Sequence, residues 1–212
     1  MSAPRFDEAF RRQLEELVLW RRDVRRFRPD AIDSTLLAHL VAVATHAPSV
    51  GHSQPWRFVE VVDPARRDAV RDNFRACNAH ALARYEGEQA RLYATLKLAG
   101  LEEAPVHLAV FVDGETETGH GLGRQTMPAT LDYSAVLAIH TLWLVARAHG
   151  IGVGWVSIVD PAAITAALDV PVEWRLIAYL CVGYPAEEHL DPELERHGWQ
   201  ARDPSTAALV RR

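Results

Sequence analysis

The sequence predicts one domain in which helices flank a single sheet, an α/β or α+β protein of three layers. Four short β-rich runs alternate with stretches in which apolar residues recur at helical spacing. A length of 212 residues suits one sizeable domain, and no internal repeat or low-complexity tract divides the chain. The predicted strands cover 56–62, 106–112, 153–159 and 175–185.

Each helix is predicted from periodic apolar residues or from signals at its ends. One helix stops before Pro48, and the long apolar helix ends at Gly150, a residue suited to a left-handed C-cap. Asp160 and Pro161 supply the N-cap and the first turn of a short helix. The charged, alanine-rich segment has a weak break near Gly87. The predicted helices cover 7–20, 34–47, 64–100, 129–149 and 160–168.

Composition excludes several classes of function. The formal net charge of -5 argues against a general nucleic-acid binder. Cys77 and Cys181 are far apart, and the histidines match no metal-binding spacing, so we expect neither a disulfide framework nor a metal site. The N-terminus lacks the apolar region of a secretory signal, and the longest apolar stretch, 133–146, is too short to span a bilayer. We therefore expect a cytoplasmic protein without a membrane partner.

Four arginines surround one carboxylate in "RRDVRRF", residues 21–27. A phosphate group is best held by guanidinium forks, and backbone N–H groups at a helix boundary can add to such a site. A solvated charged face is the alternative interpretation, and this stretch alone does not decide between the two. The glycine patterns at 121–125 and 150–154 lack the strand-to-helix context of a dinucleotide site and indicate a loop and a helix stop.

A second polar segment, "APSVGHSQPWRF", joins the end of a helix to a strand at residues 47–58. It offers hydroxyl and amide groups at Ser49, Ser53 and Gln54. Small residues at Ser49 and Gly51 let a flat ligand approach the backbone. A polar loop that merely packs Trp56 on the core is the alternative interpretation.

Together, these two segments resemble the FMN-binding proteins of the nitroreductase-like superfamily. Within it, 96–111, 121–134 and 140–158 are most similar to the 5,6-dimethylbenzimidazole synthase family, and the similarity runs from Glu16 to about Tyr184. The resemblance implies an α+β, nitroreductase-like three-layer fold with a central mixed sheet. It also implies an FMN-binding domain over 1–185 and a C-terminal arm, 186–212, docked on or exchanged with the partner in a homodimer with flavin at its interface.

The resemblance also implies the residues of a flavin site. Three arginines and the backbone of their turn hold the FMN phosphate and the polar edge of the ring. Ser49 contacts the flavin, Lys97 and Leu98 form part of a lid, and Ser157 approaches the reactive middle of the isoalloxazine. The implied cofactor-binding residues are Arg21, Arg22, Asp23, Val24, Arg25, Ser49, Lys97, Leu98 and Ser157.

Asp23 and His52 depart from ordinary nitroreductases, which commonly carry serine in the first turn and asparagine in the second loop. An imidazole cannot offer the acceptor and two donors of the amide at once. A carboxylate beside a phosphate is unfavourable unless its neighbours compensate. Asp23 either orients the arginines or, as the resemblance implies, transfers protons, and we favour the second role. The implied catalytic residues are Asp23 and Ser157.

The resemblance implies an oxygen-dependent oxidoreductase that consumes reduced FMN. The products would be 5,6-dimethylbenzimidazole, the lower ligand of vitamin B12 (cobalamin), and erythrose 4-phosphate. A separate flavin reductase would supply FMNH2. An NAD(P)H-dependent FMN nitroreductase or flavin reductase on the same fold is the first alternative. A non-catalytic flavin-binding carrier is the second.

Overall fold

A computed structural model describes residues 3–96 and 99–211 of the chain. Its sheet has four strands, β1 (Trp56–Glu60), β2 (Val106–Asp113), β3 (Gly152–Val156) and β4 (Trp174–Gly183). They lie in the order β1-β2-β4-β3, and every neighbouring pair is antiparallel. β1 and β3 are therefore the two edges of the sheet.

The expected mixed sheet needs a correction. Among the described residues, parallel pairing is limited to a single bridge between Asp23 and Val153. It arises because the segment after the first helix runs beside the free edge of β3, where Val24 N–H donates to Val153 O at 3.1 Å. The parallel component of the described sheet is thus one bridge and not a fifth strand.

The helices match the predicted pattern of starts and breaks. Asp33 and Asp160 accept hydrogen bonds from the first backbone N–H groups of α2 and α7. The break near Gly87 separates α3 from α4. No described helix is long and apolar enough to cross a membrane. The helices are α1 (Glu8–Trp20), α2 (Ser34–Ala44), α3 (Pro64–Leu82), α4 (Gly87–Thr95), α5 (Gly100–Glu103), α6 (Thr130–Ala148), α7 (Pro161–Leu168) and α8 (Glu193–Arg196), with 3-10 turns at Val50–His52 and Pro204–Ala207.

A helical layer covers each face of the sheet, which confirms the three-layer prediction and the α+β class. On β2, Leu108 and Val110 belong to the core that includes α2 and α6. Ala109 and Phe111 point to the opposite face and belong to the core that includes α3 and α7. Because both faces are covered, β2 is apolar and buried along nearly its whole length.

Two glycines of β3 let the segment after α1 approach the strand. We call residues 21–26 the arginine turn. A Cβ atom on Gly154 would lie 2.1 Å from the Val24 carbonyl oxygen, and one on Gly152 would lie 2.6 Å from Val24 Cγ2. Gly150 ends α6 with φ +72°, as predicted. The glycine pattern at 150–154 therefore combines a helix stop with a seat for the arginine turn.

The first half of the C-terminal arm packs on its own chain. Ala186 N–H donates to Arg26 O at 3.1 Å, and Trp199 packs on tyrosines that follow α3 and lie on α4. Residues 200–211 are exposed. Docking or exchange of the arm with a partner subunit stays a prediction, as does the boundary at 185.

Candidate functional site

A small cavity lies between the arginine turn, α6 and the arm. Its volume is about 50 Å³. Ligand pockets usually measure roughly 300–1,000 Å³. The cavity can therefore take one end of a ligand and not a whole flavin. Its lining carries charges of both signs, with the arginines facing Glu188 and Glu193 of the arm.

Two of the three predicted arginines are already fixed by neighbouring groups. The Arg21 guanidinium lies over the Trp143 ring, 5.0 Å from its centre, and Trp143 Nε1–H donates to Arg22 O at 3.1 Å. Arg22 Nε–H donates to Leu190 O of the arm at 2.7 Å. Burial and the nearby Arg21 charge lower the pKa of Arg22 from its ordinary value. The turn therefore has a set geometry before any ligand binds.

Arg25 presents the donor that most needs an acceptor. Its side chain is only 13% exposed. Its buried Nε–H has no hydrogen-bond acceptor among the described residues. The nearest carboxylate oxygens, on Asp23 and Glu193, lie 3.5 and 3.9 Å away. Leaving a buried donor unpaired costs about 1–3 kcal/mol, and more when it is charged, so an anionic ligand oxygen fits this position.

Asp23 is held between β3 and Arg25. One carboxylate oxygen accepts from Trp155 N–H at 2.9 Å, and the other faces Arg25 Nε at 3.5 Å. Loss of hydration raises the pKa of Asp23 above its ordinary value, although the Trp155 hydrogen bond and the Arg25 charge oppose that rise. The Asp23 side chain is 38% exposed, so one side of the carboxyl group remains open to solvent. This arrangement suits both roles that the sequence suggested for it.

Ser157 follows the same strand but lies in a different depression. β3 ends at Val156, and the exposed Ser157 lines a groove between the residues after β3 and the end of α3. The groove has a volume of about 420 Å³, and its far wall includes Tyr85. Two residues of extended chain span roughly 7 Å, so Ser157 lies about that far along the strand from Trp155, to which Asp23 is bonded. Asp23 thus lies beside β3, and Ser157 lies just beyond the end of that strand.

Ser49 lies in a loop that hydrogen bonds hold. Its hydroxyl oxygen accepts from Gln54 N–H at 3.1 Å, and Val50 N–H donates to the Ser134 hydroxyl at 3.0 Å. His52 has φ +56°, a strained conformation for a residue with a side chain. Among the described residues that line the two cavities, Ser49 does not occur. Lys97 and Leu98 lie outside the described residues.

The comparison with known proteins agrees with this geometry. Residues 18–184 match the family model described as the Nitroreductase family. The chain belongs to the nitroreductase family.

Two relatives of high identity have the same name. The chain is 60% identical to a 5,6-dimethylbenzimidazole synthase of Rhodospirillum rubrum over 96% of both chains. It is 49% identical to the synthase of that name from Rhodobacter capsulatus, over 94% of this chain and 97% of that one. The structure is also similar to oxidised iodotyrosine deiodinase bound to FMN and 3-iodo-L-tyrosine, with a TM-score of 0.70 and 26% identity over 93% and 97% of the two chains.

The sequence analysis did not predict the residues that hold the candidate site in place. Trp143 and Arg147 are four residues apart on α6, so they share one face, and that spacing was a usable signal. Arg147 pairs with both carboxylate oxygens of Glu188, at 2.7 and 3.1 Å. Nothing in the sequence near Glu188 predicts this contact. Tyr85 and Trp199 were missed for the same reason.

Proposed function

We propose that this member of the nitroreductase family is a 5,6-dimethylbenzimidazole synthase that uses reduced FMN as its substrate. The reaction would require O2 and release erythrose 4-phosphate with the benzimidazole. The observation that supports this proposal most directly is the position of Asp23. Its carboxylate is fixed at the edge of β3, and ordinary members of the family have serine at this sequence position. The 60% identity to a relative of that name supports the same assignment.

The arginine turn fits the phosphate end of FMN. Arg25, whose Nε–H makes no hydrogen bond among the described residues, lines a cavity that can hold one end of a ligand. Arg21, stacked on Trp143, adds a positive charge in a fixed direction. Reduced FMN supplies the electrons for O2 and the carbon skeleton of the product.

Asp23 and Ser157 would handle protons and hydrogen bonds beside the ring. A carboxyl group with a raised pKa exchanges protons more readily near neutral pH than an ordinary aspartate does. The Ser157 hydroxyl is free to turn toward a ligand because the residue lies beyond the last hydrogen-bonded pair of β3. The arginine turn would anchor the substrate, and these two groups would act on it.

A homodimer would complete the site. α1, all of which the structure describes, has no buried residue, and its Phe10, Leu14 and Val18 are 42–47% exposed. On α6, Tyr133 and Leu137 are also exposed. An apolar surface of this kind marks an interaction site, and we assign it to a second copy of the chain. The second copy would bring its Ser49 loop to the flavin. Light scattering that gives a monomer at micromolar concentration would contradict this part of the proposal.

The deciding experiment is the fate of reduced FMN in air. Stoichiometric FMNH2, supplied chemically or by a separate flavin reductase, is mixed with the protein, and 5,6-dimethylbenzimidazole is quantified by chromatography. We expect permanent loss of flavin absorbance with matching product. Intact FMN, together with NADPH-dependent reduction of a nitroaromatic, would favour the nitroreductase alternative. Intact FMN without turnover would favour the carrier.

A further inference from the structure

The C-terminal arm connects the two parts of the candidate site. At one end, Leu190 O accepts from Arg22 Nε–H at 2.7 Å, and Glu193 lies 3.9 Å from Arg25 Nε. Nine residues after Leu190, Trp199 reaches the hairpin formed by α3 and α4, which we call the α3–α4 hairpin. The arm therefore spans from the arginine turn to the wall of the Ser157 groove.

Trp199 meets two tyrosines of the α3–α4 hairpin. Its ring is edge-on to Tyr85, with centroids 5.4 Å apart, and lies 6.1 Å from Tyr93. The two tyrosine rings stack at 5.0 Å. The arm holds Trp199 in this position because its backbone N–H donates to Leu194 O at 2.8 Å, after a turn at Gly198 with φ +74°.

α4 is the loosely held part of the α3–α4 hairpin, since α3 belongs to the core. α4, which lies wholly within the described residues, has no buried residue. A hydrogen bond from the Tyr93 hydroxyl to Asn78 Oδ1, 2.8 Å long, ties α4 to α3. Tyr85 lines the groove that contains Ser157. The aromatic contact with Trp199 therefore helps to fix Tyr85 in this groove wall.

We propose that Trp199 is a positioning residue for the reaction. It holds the Tyr85 wall over the Ser157 groove and, through the arm, links that wall to the arginine turn. This inference rests on the proposed function, in which a fixed wall would keep bulk water from the reacting flavin. Loss of Trp199 would leave anchoring of the phosphate largely intact but would let reduced FMN reoxidise without forming product.

The first test uses the full-length protein without flavin. Hydrogen exchange of the α4 amides reports local opening of the hairpin. Trp199→Ala should raise the exchange rate of the α4 amides by about three- to tenfold, the change expected when one or two aromatic contacts are lost. Trp199→Phe keeps a ring and should remain close to wild type. Leu209→Ala is the matched arm control, since Leu209 is 83% exposed. Unchanged exchange in Trp199→Ala would overturn the contact itself.

The second test measures benzimidazole formed per FMNH2 consumed, together with the dissociation constant of FMN. In Trp199→Ala we expect the product fraction to fall by about tenfold while FMN affinity changes less than about threefold. Trp199→Phe should restore the fraction. Equal losses in both variants, or a loss confined to FMN affinity, would overturn the positioning role. If wild type forms no benzimidazole, the proposed function fails, and the exchange experiment still decides whether Trp199 holds the hairpin.

Discussion

The arginine turn and the segment that carries Ser157 lie beside the same strand, but they are held in very different ways. The turn is fixed from three sides. β3 receives it where two glycines leave room, Trp143 contacts it from α6, and Arg22 is bonded to the arm. The residues after β3 are anchored mainly by Asp160 N–H, which donates to Asn73 Oδ1 at 2.9 Å, and Ser157 itself is exposed.

This difference suggests a division of labour within the proposed site. A preorganised anion site loses little conformational freedom when a phosphate binds, so affinity can reside in the arginine turn. A reacting group must also be shielded from water, and Ser157 is not shielded by its own segment. Its surroundings must come from the α3–α4 hairpin and from the proposed second copy. Changes to the arginines of the turn should therefore alter binding, whereas changes at Asp23 and Ser157 should alter chemistry.

The largest expected effect follows from Asp23→Asn. The amide oxygen can still accept from Trp155 N–H, but the side chain can no longer take up a proton. Benzimidazole formation should fall by about two to four orders of magnitude, the usual contribution of general acid–base catalysis. Affinity for FMN should be kept or improved because a negative charge near the phosphate has been removed. Chromatographic product yield and an FMN titration measure the two effects separately.

Asp23→Asn should also change stability in a defined direction. Because the pKa of Asp23 is raised in the folded protein, its contribution to stability is present at acid pH and is lost as pH rises through the folded pKa. The variant should therefore be at least as stable as wild type at neutral pH. A variant that is less stable at neutral pH and also loses FMN would reduce Asp23 to an orienting residue of the arginines.

Ser157→Ala should have the next largest effect. Loss of one hydrogen-bond donor beside developing charge commonly costs about a hundredfold to a thousandfold in rate. The variant should bind FMN as wild type does, since the arginine turn is untouched, and should return oxidised FMN with little product. Ser157→Thr retains the hydroxyl and serves as the matched variant. Product at the wild-type level in Ser157→Ala would leave Ser157 without a catalytic role.

Local signals in the sequence predicted much of the fold but not the end of β3. The cap at Asp160 and the stop at Gly150 are short-range features, and the structure has them as predicted. The third strand was predicted through 159 because the apolar alternation continues to that point. It ends at Val156, and Asn73, 87 residues before Asp160, bonds the chain that leaves the sheet.

The candidate site shows the same limit. The arginines and Asp23 are adjacent in sequence, so their cluster was predictable. The contacts that give the cluster its geometry come from Trp143 on α6 and from the arm, 121 and 168 residues away from Arg22. Strand order and long-range side-chain contacts depend on packing of the whole chain, which local patterns do not encode.

Arginine substitutions should divide according to how each guanidinium is already used. Arg25→Ala should weaken FMN binding by about ten- to a hundredfold, the value of a charge-assisted hydrogen bond, because its Nε–H makes no hydrogen bond among the described residues. Arg22→Ala should cost less, since Arg22 already donates to Leu190 O. Riboflavin, which lacks the phosphate, should be affected little by either change. Arg28→Ala is the matched control, because Arg28 is exposed and pairs with Asp30. Equal losses for FMN and riboflavin would contradict the phosphate assignment.

The smallest expected effect is a change in the pH dependence of stability that arises from a histidine in the core. It distinguishes the acid sensitivity of the fold from that of the candidate site. His107 is 1% exposed, and its Nδ1 lies 2.9 Å from the Tyr179 hydroxyl. Burial, together with the nearby Arg67 and Arg71 charges, lowers the pKa of His107 to about 4. The unfolded chain therefore binds this proton first, and stability is lost as pH falls below the ordinary histidine pKa of about 6.5. From pH 7.5 to 5.5 the loss attributable to His107 should be about 1 kcal/mol.

Urea unfolding of full-length protein at pH 7.5 and pH 5.5 measures this loss in the free energy of unfolding. His107→Gln should remove about 1 kcal/mol of the pH dependence, whereas His46→Gln, at an exposed position, should leave it unchanged. Asp23 contributes with the opposite sign, because its pKa is raised in the folded protein. A His107→Gln variant with the wild-type pH dependence would mean that the histidine is protonated in the core. The acid response would then have to come from carboxylates other than Asp23.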